Sequence, residues 1–97
     1  GEITYITAPV HIEYLEKIKP GKSIVLSFRN LYFVDADGLS YIKDMIETIE
    51  SSGNEVLLTS LSPRLHPLFN HHEFYTKKLK AGRVFESATH AIDAISA

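Results

Sequence analysis

The sequence has no cysteine. That absence excludes disulfides, zinc–thiolate sites, iron–sulfur clusters and thiol nucleophiles, and it suits a reducing compartment. Long apolar runs are also missing. The longest, Leu31 to Val34, falls far short of the roughly 20 residues that cross a bilayer, so no direct membrane insertion is expected. No secretory signal pattern opens the sequence. Basic residues are in slight deficit, with ten Lys+Arg against twelve Asp+Glu and a net charge of -2. Nucleic-acid binding requires a basic stripe and a high pI, so it is not expected. No Gly-x-Gly-x-x-Gly, no phosphate loop ending in Lys-Ser/Thr and no Gly-x-Ser-x-Gly occurs, which removes support for a phosphate cradle or a serine hydrolase. Repeats and low-complexity stretches are absent too.

What remains is an ordinary globular composition: 97 residues, 44% hydrophobic and 23% charged. That length falls just below one typical domain of about 100–150 residues, so residues 1–97 are expected to form a single domain. Punctuation and periodicity divide the chain into alternating elements. Glu2 to Thr7 is β-prone and ends at Ala8-Pro9. Val10 to Ile18 repeats apolar residues at helical spacing and closes at Lys19-Pro20-Gly21. Ser23 to Phe28 and Glu55 to Thr59 read as buried parallel strands. Between them, a helix starting near Asp35-Ala36-Asp37-Gly38 carries Gly38, Ile42, Met45, Ile46 and Ile49 inward and Lys43, Asp44, Glu47 and Glu50 outward. Gly53 is placed to cap its carboxyl end in a left-handed conformation. Ser62-Pro63 starts a further helix, with a serine that can cap and proline at its first position, and this helix turns Leu65, Leu68 and Phe69 inward. Lys77 to Gly82 reads as a turn and Arg83 to Phe85 as a short strand. Ser87 caps a last helix with Ala88, Ala91, Ile92 and Ile95 on its inner face. The predicted fold is α/β: a small, mostly parallel β-sheet with packed helices.

The acidic turn Asp35-Ala36-Asp37-Gly38 is the most informative segment, because it lies at a strand-end rim where α/β folds place ligand and partner sites. One role is capping: Asp35 or Asp37 accepts hydrogen bonds from the first free amides, and Gly38 lets helix approach sheet. Another is an exposed recognition turn. A catalytic carboxylate pair has little support, since nothing nearby supplies a nucleophile or base. A phospho-acceptor aspartate would need partners for magnesium at other strand ends, and Thr59-Ser60 and Phe85-Glu86 do not match. His66, His71 and His72 with Glu73 lack a clean His-x-x-x-His spacing, so solvated histidines near a helix end outweigh a metal site. Lys77, Lys78, Lys80 and Arg83 form a basic cluster that reads as a solvated loop. No catalytic residue, metal or cofactor is expected.

The run from Ile24 to Leu39, IVLSFRNLYFVDADGL, resembles the central signature of STAS domains. There an apolar strand leads through a short apolar segment to Asp-Ser-Ser-Gly or Asp-Ala-Thr-Gly and an amphipathic helix. Val56 to Arg64 resembles that family's next strand and helix start, and Gly82 to Ser87 with Ala91 to Ile95 its closing strand and helix. The resemblance runs from about Ile3 to Ile95 and implies the fold of the anti-sigma-factor antagonists. Arg29-Asn30 and Ala36 look more like the cytoplasmic carboxy-terminal STAS domains of SulP anion transporters. So does Ala8-Pro9, which is similar to that branch's Gly-Pro-Leu-Phe-Phe, with Ala8 for glycine and His11 for an aromatic.

The resemblance implies a non-catalytic interaction module. It would lie on the cytoplasmic side of the inner membrane, attached to the transmembrane domain of its own sulfate or other anion transporter. A protein partner would dock at Asp35, Ala36, Asp37, Gly38 and Tyr41. The alternative is a free-standing antagonist that binds a kinase-like anti-sigma factor. In that branch the Ser or Thr before the motif glycine is phosphorylated. Here Asp37 holds that position, so no phosphorylation is expected. Weak nucleotide binding is a third reading, for which the sequence offers no phosphate cradle.

Overall fold

Ile24-Val25-Leu26 and Val56-Leu57-Leu58 each place branched apolar side chains at three successive positions, which fills both faces of a pleated strand. In the computed structural model, which describes residues 3–8 and 17–96, they form the centre of a four-stranded parallel sheet. Strands β1 (Ile3–Thr7), β2 (Ser23–Ser27), β3 (Glu55–Thr59) and β4 (Val84–Phe85) lie side by side in chain order. Val25 sits beside Leu57, flanked by Ile24 beside Val56 and Leu26 beside Leu58. Successive side chains therefore serve opposite layers.

On one face lies helix α1 (Ala36–Ser51), whose Leu39, Ile42, Met45, Ile46 and Ile49 are buried against Ile6, Ile24, Leu26, Val56 and Leu58. Their spacing is the apolar stripe of a 3.6-residue period. On the other face, helix α4 (Ala88–Ser96) sets Ala91 against Val25 and Leu57, with Ala88, Ile92 and Ile95 around it. The Ser87 hydroxyl accepts a hydrogen bond from the His90 amide at 3.2 Å, so it caps α4 as predicted.

From β3 to β4 the chain passes through a 3-10 turn (Pro63–Leu65), the single-turn helix α2 (His66–Phe69) and helix α3 (Glu73–Lys80). Phe69 is the hub of this side. Its ring meets Phe28, Phe74 and Tyr75 edge-on at centroid distances of 5.7, 6.1 and 5.5 Å, the arrangement aromatic quadrupoles favour.

Several expectations need correction. Lys77 to Gly82 is a turn only at Ala81-Gly82: Glu73–Lys80 is helical, with Tyr75 as a buried anchor, Lys77 and Lys80 exposed and Lys78 turned toward the fold. The Ser62 hydroxyl makes no capping hydrogen bond. Leu68 is exposed, while Leu39 is buried. Glu50 does not simply face water; it pairs with Lys78. The helix predicted from Val10 to Ile18 lies mostly outside the described residues. Gly53 adopts φ +91 and its amide returns to the Glu50 carbonyl at 3.0 Å, the expected left-handed close of α1. Beside it, buried Asn54 accepts from the Lys22 amide at 2.9 Å and donates to the Ile49 carbonyl at 3.4 Å, joining the end of α1 to the start of β2.

Lys78 locks α3 to the rest of the fold. Its ammonium pairs with Glu50 of α1 and donates to the Val56 carbonyl of β3 at 2.7 Å, with only 12% of the side chain exposed. Lys78→Met keeps the apolar stem but leaves both acceptors without their donor. Urea unfolding is expected to show a loss of about 1–3 kcal/mol, against less than about 0.5 kcal/mol for Lys43→Met, which removes only the exposed Lys43–Glu47 pair. Equal small losses would show that Lys78 acts as an ordinary surface residue.

Candidate functional site

The chain leaves β2 in a turn closed by the Leu31 amide on the Phe28 carbonyl at 2.9 Å. It then runs without regular structure to α1. Along that loop Tyr32 and Phe33 are 74% and 79% exposed. Two adjacent aromatic side chains given to water are unusual, because each withholds a large apolar area from the core.

At Asp35 the backbone is extended, with φ -98 and ψ -176. The carboxylate accepts from the Gly38 amide at 2.8 Å, and the carbonyl accepts from the Leu39 amide at 2.9 Å. Asp35 is therefore the N-cap of α1. Asp37 follows in the first turn, where the positive end of the helix dipole favours a carboxylate. It is exposed and makes no ion pair or hydrogen bond among the described residues. The two acidic residues thus divide the predicted roles: one closes the helix and the other faces outward.

Gly38 serves a contact that the sequence reading assigned elsewhere. A Cβ at this position would lie 2.6 Å from Val34 Cγ2 and 3.2 Å from Asp35 Oδ1. Glycine is needed so that the incoming loop can fold against the first turn of the helix, not so that the helix can approach the sheet.

A cavity of about 320 Å³ opens beside this turn. Leu31, Phe33 and Val34 form its loop side, Tyr41, Ile42 and Met45 its helix side, and Ala8 its base. Among the described residues Asp35 is the one charged residue on the lining, and Gly38 borders it. Of the five residues named from sequence, Asp35, Gly38 and Tyr41 line this cavity, while Ala36 and Asp37 stand exposed beside it. Sequence reasoning missed Tyr32 and Phe33 as members of the rim. No local signal marked them, since a short apolar run reads as core whether or not a neighbouring element covers it. Apolar walls with an acidic edge can hold an apolar side chain beside a positive charge. Among the described residues, no lysine, arginine or histidine lines this cavity.

The other candidates disperse. His66 lines a cleft with Asn70 and Tyr75, whereas His71 and His72 lie near Lys43 and Glu47 of α1. Among the described residues, no three potential ligands gather to hold a metal. The basic cluster is not a solvated loop. Lys78 is tied to Glu50, Arg83 pairs with Glu55, and Lys77 lies 3.9 Å from Glu73 on the same helix.

The family model for the STAS domain matches residues 1–90. Among solved structures, a sulfate transporter family protein from Wolinella succinogenes is similar at a TM-score of 0.77 with 22% identity, over 95% of this chain and 83% of that one. The STAS domain of a SulP transporter from Vibrio cholerae is similar at a TM-score of 0.78 with 16% identity, over 97% of this chain and 80% of that one. At these identities the two structures establish the shared fold. No curated protein matches the chain. Among the described residues, no helix is long and apolar enough to cross a membrane.

The geometry of the turn makes a prediction whose sign is informative. By helix propensity alone, Gly38→Ala would stabilise α1 by up to about 1 kcal/mol. The clash with the stiff, β-branched Val34 costs about 1–3 kcal/mol, so unfolding measurements are expected to show a net loss. Asp35→Ala should lose about 0.5–2 kcal/mol through the missing cap. A more stable Gly38→Ala would mean that Val34 moves aside freely and that the loop is not held against the helix.

Proposed function

The chain belongs to the STAS domain family, and from that premise we propose that it is the non-catalytic regulatory domain of a SulP-type sulfate or other anion transporter. In this reading it lies on the cytoplasmic side of the membrane and contacts another protein surface, its own transporter's membrane domain first of all, through the rim at Asp35, Ala36, Asp37, Gly38 and Tyr41. The observation that carries the reading is the exposed acidic turn beside an apolar cavity, with Tyr32 and Phe33 displayed next to it. Capping occupies the Asp35 carboxylate but leaves the Asp37 carboxylate without a hydrogen-bond partner among the described residues. An apolar receptor edged by negative charge suits a protein contact, in which a buried anchor supplies affinity and the charge supplies orientation.

A free-standing antagonist of an anti-sigma factor would use the same rim. Asp37 weighs against it, since the residue before Gly38 has no hydroxyl to form the phosphoserine or phosphothreonine that switches that branch, and its carboxylate carries less charge than a phosphoserine.

Asp37→Lys separates function from folding. The exposed reversal at the start of α1 is expected to cost no more than about 1–2 kcal/mol of stability, leaving the domain folded. Sulfate uptake by cells producing the full-length transporter should fall severalfold. Unchanged uptake with normal protein levels would remove the rim from the account. Capture of a soluble anti-sigma factor by wild type but not by the variant would favour the antagonist reading.

A further inference from the structure

A second cleft, of about 490 Å³, opens on the same carboxyl rim at the β3–β4 end. It shares no lining residue with the cavity beside Asp35. Leu61, Leu79 and Phe85 provide apolar walls, and His66, Asn70, Tyr75 and Glu86 provide polar groups. The chain enters the cleft at Ser60, a non-glycine residue with φ +62, which turns it sharply away from β3 into Leu61. Such a conformation persists only where the surroundings hold it.

Tyr75 is the unusual member. It is 3% exposed, with its ring edge-on to Phe69, and nothing among the described residues hydrogen-bonds its hydroxyl. Burial pushes the phenol above its ordinary value, although a tyrosine hydroxyl is neutral at physiological pH even without that shift. The charge inventory is one-sided. Among the described residues Glu86 is the only carboxylate on the lining, and no lysine or arginine is part of it. The Glu86 carboxylate, the Asn70 carbonyl and the Tyr75 oxygen can all accept hydrogen bonds. An anion would meet Glu86 without a compensating cation. A metal would lack ligands, because no three potential ligands gather among the described residues.

We propose that this cleft binds a small organic ammonium group carried on an apolar stem, with the cation at Glu86 and the stem between Leu61, Leu79 and Phe85. The site is independent of the Asp35–Gly38 rim, and either can fail without the other. The source of the ammonium is a free amine or an exposed lysine side chain, which share this chemistry.

Amide NMR of the labelled chain titrated with phenethylammonium chloride tests it. Saturable shifts are expected at Leu61, Leu79, Phe85 and Glu86. The neutral 2-phenylethanol should bind about tenfold more weakly, as should phenethylammonium to Glu86→Gln, the loss expected for one charge-assisted hydrogen bond. Tyr75→Phe, which preserves the ring, should weaken binding about fivefold. A parallel titration with Nα-acetyl-lysine methylamide identifies the source: binding tighter than phenethylammonium points to a lysine side chain, and weaker binding to a free amine. Equal binding of amine and alcohol, an unchanged Glu86→Gln, or shifts centred on Asp35 to Tyr41 would overturn the proposal. Glu86 is exposed, so its variant decides the matter even if Tyr75→Phe fails to fold.

Discussion

Burial of β2 and β3 on both faces is the constraint from which the remaining structure follows. Ile24, Val25, Leu26, Val56, Leu57 and Leu58 are all at most 1% exposed, and each contributes on the order of 1.5–3 kcal/mol by leaving water. Removing the α1 layer would expose Ile24, Leu26, Val56 and Leu58, and removing α4 would expose Val25 and Leu57. Because these residues are apolar on both faces, their hydrophobic pattern alone would tolerate a slipped register. Polar groups at the strand ends resolve the ambiguity. The Thr59 hydroxyl, itself buried, donates to the Leu26 carbonyl at 3.2 Å across the strand pair, and the Phe28 amide reaches the Thr59 carbonyl at 2.9 Å.

Parallel register brings the carboxyl ends of the strands to one rim, and the cavity beside Asp35 and the cleft at Glu86 both lie there. They differ in chemistry because different segments fill them. Beside β2, an apolar loop meets the start of α1, giving a nearly apolar cavity with carboxylates at its edge. Beyond β3 and β4, the short helices bring polar side chains over an apolar floor. In the first opening, the fold uses Asp35 and leaves Asp37 over. That division explains how one acidic turn serves structure and still presents charge: the capping geometry reaches a single carboxylate, at the N-cap.

Local signals carried most of the architecture. Two apolar strands with closely similar patterns, an amphipathic stripe ending at Gly53, and Ser87 ahead of an alanine-rich inner face are each decided within a few residues, and each is found in the structure. What escaped sequence reading depends on distant partners. Lys78 and Glu50 are separated by 28 positions, so nothing local distinguishes their pairing from two solvated charges. The same blindness turned α3 into a turn, since its lysines outnumber its single buried anchor, Tyr75. At the candidate site, the acidic turn and its cap were legible because Asp, Gly and a following apolar stripe mark a helix start. The exposure of Tyr32 and Phe33 was not, because an apolar run reads as core until the surrounding elements leave it uncovered. The clash that reserves position 38 for glycine depends on where Val34 is held, which the chain fixes only once folded.

The most direct measurement is amide hydrogen exchange of this domain within the assembled full-length protein in its membrane, compared with the isolated chain. If the acidic turn is a preformed contact surface, the Gly38 and Leu39 amides exchange slowly in both states, because Asp35 already holds them. The segment from Leu31 to Tyr41 then gains further protection only on assembly. Identical exchange across that segment in both states, or protection gained solely elsewhere on the domain, would contradict the assignment of this rim as the contact surface.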